Sequence, residues 1–209
     1  MNFELPSIYP ITDTRISGIS HRDQVERLIA GGATVIQLRD KHAAPAEFFR
    51  AAKDALFVAR KTGVKLLIND RVDIALALNA DGVHVGHDDL SPEKARAILG
   101  DRAIIGFSTH TIEQAVEAIK MPVDYIAFGP VFKTKTKEAP DPTVGLGELI
   151  RVRKAIGDFP LVAIGGIDAD NLLSVLRTGA DSAAIISALV SDVLLIKENM
   201  SSLLASTNP

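Results

Sequence analysis

The segment Gly129-Pro130-Val131-Phe132-Lys133-Thr134-Lys135-Thr136-Lys137 alternates three lysines with two threonines directly after the apolar run Tyr125-Ile126-Ala127-Phe128. Fixed positive charge, short hydroxyls and backbone N–H groups in one loop are what a phosphate needs. A second cationic series, Gln37-Leu38-Arg39-Asp40-Lys41, sets Gln37, Arg39 and Lys41 at alternate positions, so in an extended chain they point to one side. Carboxylates come from Asn69-Asp70-Arg71 and from His87-Asp88-Asp89. Two carboxylates with an amide oxygen nearby suit magnesium, which takes few protein oxygens and completes its octahedron with water and substrate phosphate. Asp88 and Asp89 are adjacent, so one of them faces such a site, and spacing does not choose between them. Asp70 and Asp89 also have a plain structural role open to them, as N-caps of the helices that follow.

Ser108-Thr109-His110-Thr111 offers hydroxyl donors to a ligand, with a helix cap as the competing role for Ser108 or Thr109. Gly165-Gly166-Ile167 and Ile186-Ser187-Ala188 offer backbone N–H groups, and glycine lets that backbone approach an anion closely. His84, inside Gly82-Val83-His84-Val85, reads as a satisfied core histidine, and His21, His42 and His110 read as surface or cap residues. His84 and His87 lack the third ligand of a zinc site. No serine, histidine and acid constellation emerges, so the sequence gives no support to nucleophilic catalysis.

These residues need a scaffold that brings them together. Short β-branched apolar runs recur at 8–12, 34–39, 65–69, 82–85, 104–108, 125–128, 161–164 and 182–186. Amphipathic stretches alternate with them at 21–30, 45–62, 71–78, 92–99, 112–119, 146–156, 169–178 and 192–204, and glycines stand where several should end. Eight such units predict a single-domain α/β fold, the closed (β/α)8 TIM barrel, over residues 1–209, with 201–209 as a frayed tail. A doubly wound open sheet would use fewer units. In a barrel the active groups sit at the C-terminal ends of the strands, and each polar cluster above follows a strand.

With 209 residues and 47% hydrophobic content, the chain can bury one substantial core. A net charge of -3 gives no global attraction to nucleic acid, so its basic loops suit a small anion. The absence of cysteine excludes disulfides, thiolate metal sites and a thiol nucleophile, and suits a reducing cytoplasm. No run of 18 apolar residues suggests a membrane span.

In order along the chain, Tyr9-Pro10-Ile11-Thr12-Asp13, Gln37-Leu38-Arg39-Asp40-Lys41, Ile68-Asn69-Asp70-Arg71, 80–86, 108–111, 129–137 and Val162-Ala163-Ile164-Gly165-Gly166-Ile167 resemble the thiamine-phosphate synthase family. The resemblance spans nearly the whole chain, to about Ala188. It implies a magnesium-dependent transferase acting on two small phosphorylated substrates. In that reading Gln37, Arg39, Lys41, Asn69 and Lys137 hold the diphosphate of hydroxymethylpyrimidine diphosphate, and Asp70 and Asp89 bind Mg2+. Ser108 lies near the pyrimidine, while Thr134, Thr136, Gly166, Ile186 and Ser187 bind the thiazole phosphate. Catalytic roles fall to Arg39, Lys41, Ser108 and Lys137. His87 stands where the family usually has Gln, and Lys133 where it usually has Pro. The expectation is a cytoplasmic enzyme with no nucleic-acid or membrane partner, its assembly into a homo-oligomer left open. A thiazole tautomerase on the same barrel is the nearest rival, although it has no diphosphate for Gln37, Arg39, Lys41 and Lys137 to hold. A non-catalytic phosphate-binding barrel is the other.

Overall fold

In the structure, a computed structural model that describes residues 4–134, 136 and 142–207, eight parallel strands close into a barrel in the order β1 to β8. The strands are β1 (Ile8–Thr12), β2 (Val35–Leu38), β3 (Lys65–Asn69), β4 (Gly82–Val85), β5 (Ile104–Thr109), β6 (Tyr125–Phe128), β7 (Leu161–Ile164) and β8 (Ser182–Ile185). The helices are α1 (Thr14–Ser17), α2 (His21–Ala30), α3 (Pro45–Thr62), α4 (Val72–Leu78), α5 (Pro92–Leu99), α6 (Ile112–Ala118), α7 (Gly145–Ile156), α8 (Leu172–Leu176), α9 (Ser187–Val190) and α10 (Ile196–Thr207). The pairing of β1 with β8, Tyr9 opposite Ala184, shuts the sheet and leaves no edge strand.

Strand alternation divides the core in two. One set of side chains fills the space between strands and helices, where α3 contributes Phe48, Ala52, Ala55, Leu56 and Ala59 at helical spacing. The other set, including Tyr9, Ile11, Val35, Leu67, Ile104, Tyr125, Ala127, Val162 and Ala184, packs inside the barrel. Since these plug the interior, a ligand can enter only above them.

The closed lower rim explains three acids that take no part in the site. Asp81, Asp124 and Asp181 precede β4, β6 and β8, and each accepts from an N–H at the start of the preceding strand, at Leu66, Ile105 and Leu161, at 2.7 to 2.9 Å. Arg96 and Arg153 brace two of them, pairing with Asp124 at 2.7 Å and Asp181 at 2.5 Å while also donating to loop carbonyls. Carboxylates at this end stabilise the barrel.

One expectation fails at the C-terminus. Residues 201–207 are helical, not frayed, because α10 continues to Thr207 and buries Ile196, Met200 and Leu203. The serines of this segment obscured that spacing. Gly31 and Gly32 leave room for the helix, since a Cβ on either would come within 3 Å of Met200 or Leu204. The sequence also missed α1 and α9, each four residues long. Among the described residues no helix is long and apolar enough to cross a membrane.

Candidate active site

At the C-terminal ends of the strands lies a cavity of about 500 Å³. Its wall brings together Gln37, Arg39, Lys41, Asn69, Asp70 and Asp89 on one side, with Ser108, Thr134, Thr136, Gly166, Ile186 and Ser187 on the other. Lys137, the remaining expected site residue, lies outside the described residues. Lys133 is exposed and does not line the cavity.

Arg39 is fixed by Asp13, which follows β1: Arg39 Nη1 donates to Asp13 Oδ2 at 2.7 Å, and both side chains are largely buried. The other Asp13 oxygen accepts from the backbone N–H groups of Arg15 and Ile16, capping α1. The sequence motif containing Asp13 gave no hint of this role. Asp40 orders the same loop by accepting from the N–H groups of His42 and Ala43 and from Thr14 Oγ1. Burial opposes the Asp40 charge, but these hydrogen bonds and nearby His21 prevail and hold its pKa below the usual value. His21, read from the sequence as surface or cap, is instead buried, with Nδ1 2.7 Å from Thr12 Oγ1. Its Nε2 lies 3.7 Å from Asp40, beyond hydrogen-bonding distance, and burial holds its pKa low.

Neither acidic candidate serves as the helix cap that composition allowed. Ser91 caps α5, and the N-cap position of α4 is Arg71, without a side-chain cap. Asp70 takes a left-handed backbone at φ 62°, unusual for a residue with a Cβ, and pairs with Lys41. Burial raises the Asp70 pKa; Lys41 opposes the rise and the adjacent Asp89 carboxyl adds to it. Asp89 also accepts from Gly86 N–H at 2.8 Å, while Asp88 is exposed. Beside them Asn69 Nδ2 is buried without a hydrogen-bond partner. Two partly buried, facing carboxylates, with Lys41 beside Asp70, have the chemistry of a site for a hard divalent cation. Among the described residues no group of three potential ligands gathers, so further coordination would come from water or a ligand's oxygens.

The opposite side is backbone-rich. Gly165 and Gly166 have φ 104° and 65°. The segment after β6 runs along them, Val131 N–H donating to Ile164 O at 2.8 Å and Phe132 N–H to Gly165 O at 2.9 Å. Asn171 Nδ2 ties down Gly166 O at 3.0 Å. A Cβ at Gly165 would stand 2.5 Å from Pro130 Cα, and one at Gly166 2.6 Å from Lys133 O. Gly165→Ala is therefore expected to lower stability by about 2 kcal/mol, roughly 5 °C in melting temperature, and to weaken phosphate-ligand binding. Thermal melts and a binding titration check both parts.

Ser108 is not a helix cap; Thr111 caps α6. Ser108 Oγ instead lies 2.8 Å from His84 Nε2, and His84 Nδ1 lies 3.0 Å from Tyr125 OH. The core reading of His84 was right about burial and silent about its position on the cavity floor. Burial, reinforced by Lys41 and opposed by Asp89, drives its pKa down to about 4 from 6.5. Below pH 6.5 the unfolded chain therefore binds a proton that folded His84 refuses. Stability falls from there until the folded group also titrates near pH 4, a total of about 3 kcal/mol. His84→Gln is expected to flatten this acid limb when urea unfolding is compared at pH 7 and pH 4.5.

A family model described as thiamine monophosphate synthase matches residues 8–189. A thiamine-phosphate synthase from Persephonella marina is 47% identical over 195 residues, covering 92% of this chain and 91% of its own. One from Chloroflexus aurantiacus is 43% identical over 184 residues, covering 88% and 84%. The solved thiamine phosphate pyrophosphorylase from Pyrococcus furiosus superposes with TM-score 0.84 at 36% identity over 97% of each chain. A tryptophan synthase α-subunit from Pyrococcus furiosus, 14% identical with TM-score 0.70 over 95% of this chain and 98% of its own, shares the fold alone.

Proposed function

The chain belongs to the thiamine monophosphate synthase family, transferases of thiamine biosynthesis, and from that premise we propose that it joins hydroxymethylpyrimidine diphosphate to hydroxyethylthiazole phosphate or its carboxylated form. The products are thiamine phosphate and pyrophosphate, with the carboxyl group of the carboxylated thiazole leaving as CO2. One observation carries the reading: cations, facing carboxylates and a glycine-rich backbone loop line opposite sides of a single cavity, as two phosphorylated substrates require.

Arg39 and Lys41, with Asn69 and Gln37, receive the diphosphate. Lys137 is assigned to the same group by family resemblance. Asp70 and Asp89 would hold Mg2+, which when bound neutralises charge on the diphosphate oxygens. Gly166, Ile186, Ser187, Thr134 and Thr136 receive the thiazole phosphate. The bond between the pyrimidine methylene carbon and the diphosphate oxygen breaks, its electron pair leaving on oxygen. The thiazole nitrogen lone pair then closes the new C–N bond. Arg39 and Lys41 favour the first step by stabilising the departing charge in a site already shaped for it. The interior side chains beneath the cavity exclude water from the pyrimidine methylene cation that bond breaking leaves.

A pyrimidine carrying an electron-withdrawing substituent tests the order of bond breaking. The expected result is a kcat lower by two or more orders of magnitude with little change in diphosphate binding. Turnover indifferent to the substituent contradicts a dissociative step, and no coupling of the parent pyrimidine contradicts the function itself.

A further inference from the structure

Five side chains from five strands form one hydrogen-bonded line under the cavity. Gln37 Nε2 donates to Tyr9 OH at 3.1 Å, Tyr9 OH lies 2.9 Å from Tyr125 OH, Tyr125 OH lies 3.0 Å from His84 Nδ1, and His84 Nε2 lies 2.8 Å from Ser108 Oγ. Both ends, Gln37 and Ser108, line the cavity. The middle is buried, Tyr9 and Tyr125 meeting edge to face and His84 stacked on Tyr125.

Glycine makes room for this line. A Cβ at Gly106, on β5, would lie 2.1 Å from Tyr125 Cζ, 2.3 Å from its hydroxyl and 2.5 Å from His84 Nδ1. A glycine inside a strand weakens that strand, so its presence here marks a close approach that the fold accommodates.

We propose that the line is a polarised positioning relay that fixes Ser108 as a hydrogen-bond donor toward the pyrimidine substrate, with Tyr9, Tyr125 and His84 as the residues that set the direction. The choice of substrate rests on the coupling reading above; the direction follows from hydrogen-bond chemistry. An amide nitrogen can only donate, so Tyr9 OH accepts from Gln37 and turns its own proton to Tyr125 OH. Tyr125 in turn donates to the next acceptor along the line, His84 Nδ1. A neutral imidazole with Nδ1 accepting carries its proton on Nε2, and that N–H donates to Ser108 Oγ. The Ser108 proton then points into the cavity, toward an acceptor such as a ring nitrogen. Burial keeps each titratable member uncharged at neutral pH: Tyr9 is pushed up to about 12, Tyr125 is raised, and His84 is held near 4. The relay therefore orients protons without moving charge.

The test is the His84 tautomer, read from 15N shifts in the full-length, 15N-histidine-labelled protein at neutral pH, with no substrate present. Wild type is expected to show His84 protonated on Nε2 alone. Tyr125→Phe removes the donor to Nδ1, so the tautomers mix and KM for the pyrimidine diphosphate rises about tenfold, with KM for the thiazole phosphate unchanged. His84→Gln, whose amide can accept from Tyr125 and donate to Ser108, is expected to retain more pyrimidine affinity than His84→Leu. An Nδ1-protonated wild type overturns the proposal, as does Tyr125→Phe that moves neither tautomer nor KM, or equal losses in the two His84 variants. Failure of the coupling reading would leave the tautomer result intact, so the two failures are distinguishable.

Discussion

Asp89→Asn is expected to lower kcat/KM by about 10³-fold or more while leaving the barrel folded. The amide oxygen of Asn can still accept from Gly86 N–H, so the contact that anchors the loop survives. What disappears is one of two carboxylates that burial and proximity have set against each other, with Lys41 as the cation beside them. Two carboxylates held against each other in this way suit a cation between them. Removing Asp89 should therefore leave melting temperature unchanged or raised and abolish the response of the rate to added magnesium. Steady-state kinetics across a magnesium series, with a thermal melt of the same sample, check both parts. A variant with full magnesium-dependent activity would remove Asp89 from the site.

Arg39→Ala is expected to cut coupling by about 10³-fold, and it should destabilise the fold. Removing Arg39 leaves the largely buried Asp13 carboxylate without its counter-charge. The cost is about 2 kcal/mol. Adding Asp13→Asn should restore stability, since the amide oxygen can still cap α1, without restoring activity. Urea unfolding of the single and double variants separates the two effects. If stability does not recover, Asp13 is not the orphan, and if activity recovers, Arg39 is not a diphosphate ligand.

The strands were legible because β-branched runs and helix-ending glycines repeat eight times, and five of the eight strands have the boundaries expected. Their C-terminal ends then located Gln37, Asp70, Ser108 and Gly166 by position alone. Asp88 and Asp89 both line the cavity, and the structure separates them by burial: Asp89 is partly buried and accepts from Gly86 N–H, while Asp88 is exposed. What stayed hidden were partnerships across the barrel. Tyr9 and Tyr125 lie 116 residues apart and meet only when β1 and β6 share an interior. Gly106 sits inside β5, where a glycine weakens a strand, and only its neighbours Tyr125 and His84 explain it. His21 fell at a helix start, where composition suggests exposure, and packing buried it. The C-terminal helix was expected from its apolar spacing, but its last turns, from Ser201 on, were hidden by serines whose apolar neighbours carry the packing.

The most direct measurement is formation of thiamine phosphate and pyrophosphate from the two phosphorylated half-molecules, followed in parallel with magnesium and with a chelator. The account predicts both products in equal amounts with magnesium and neither with chelator. A folded protein that binds the thiazole phosphate yet forms no product with magnesium present would contradict it.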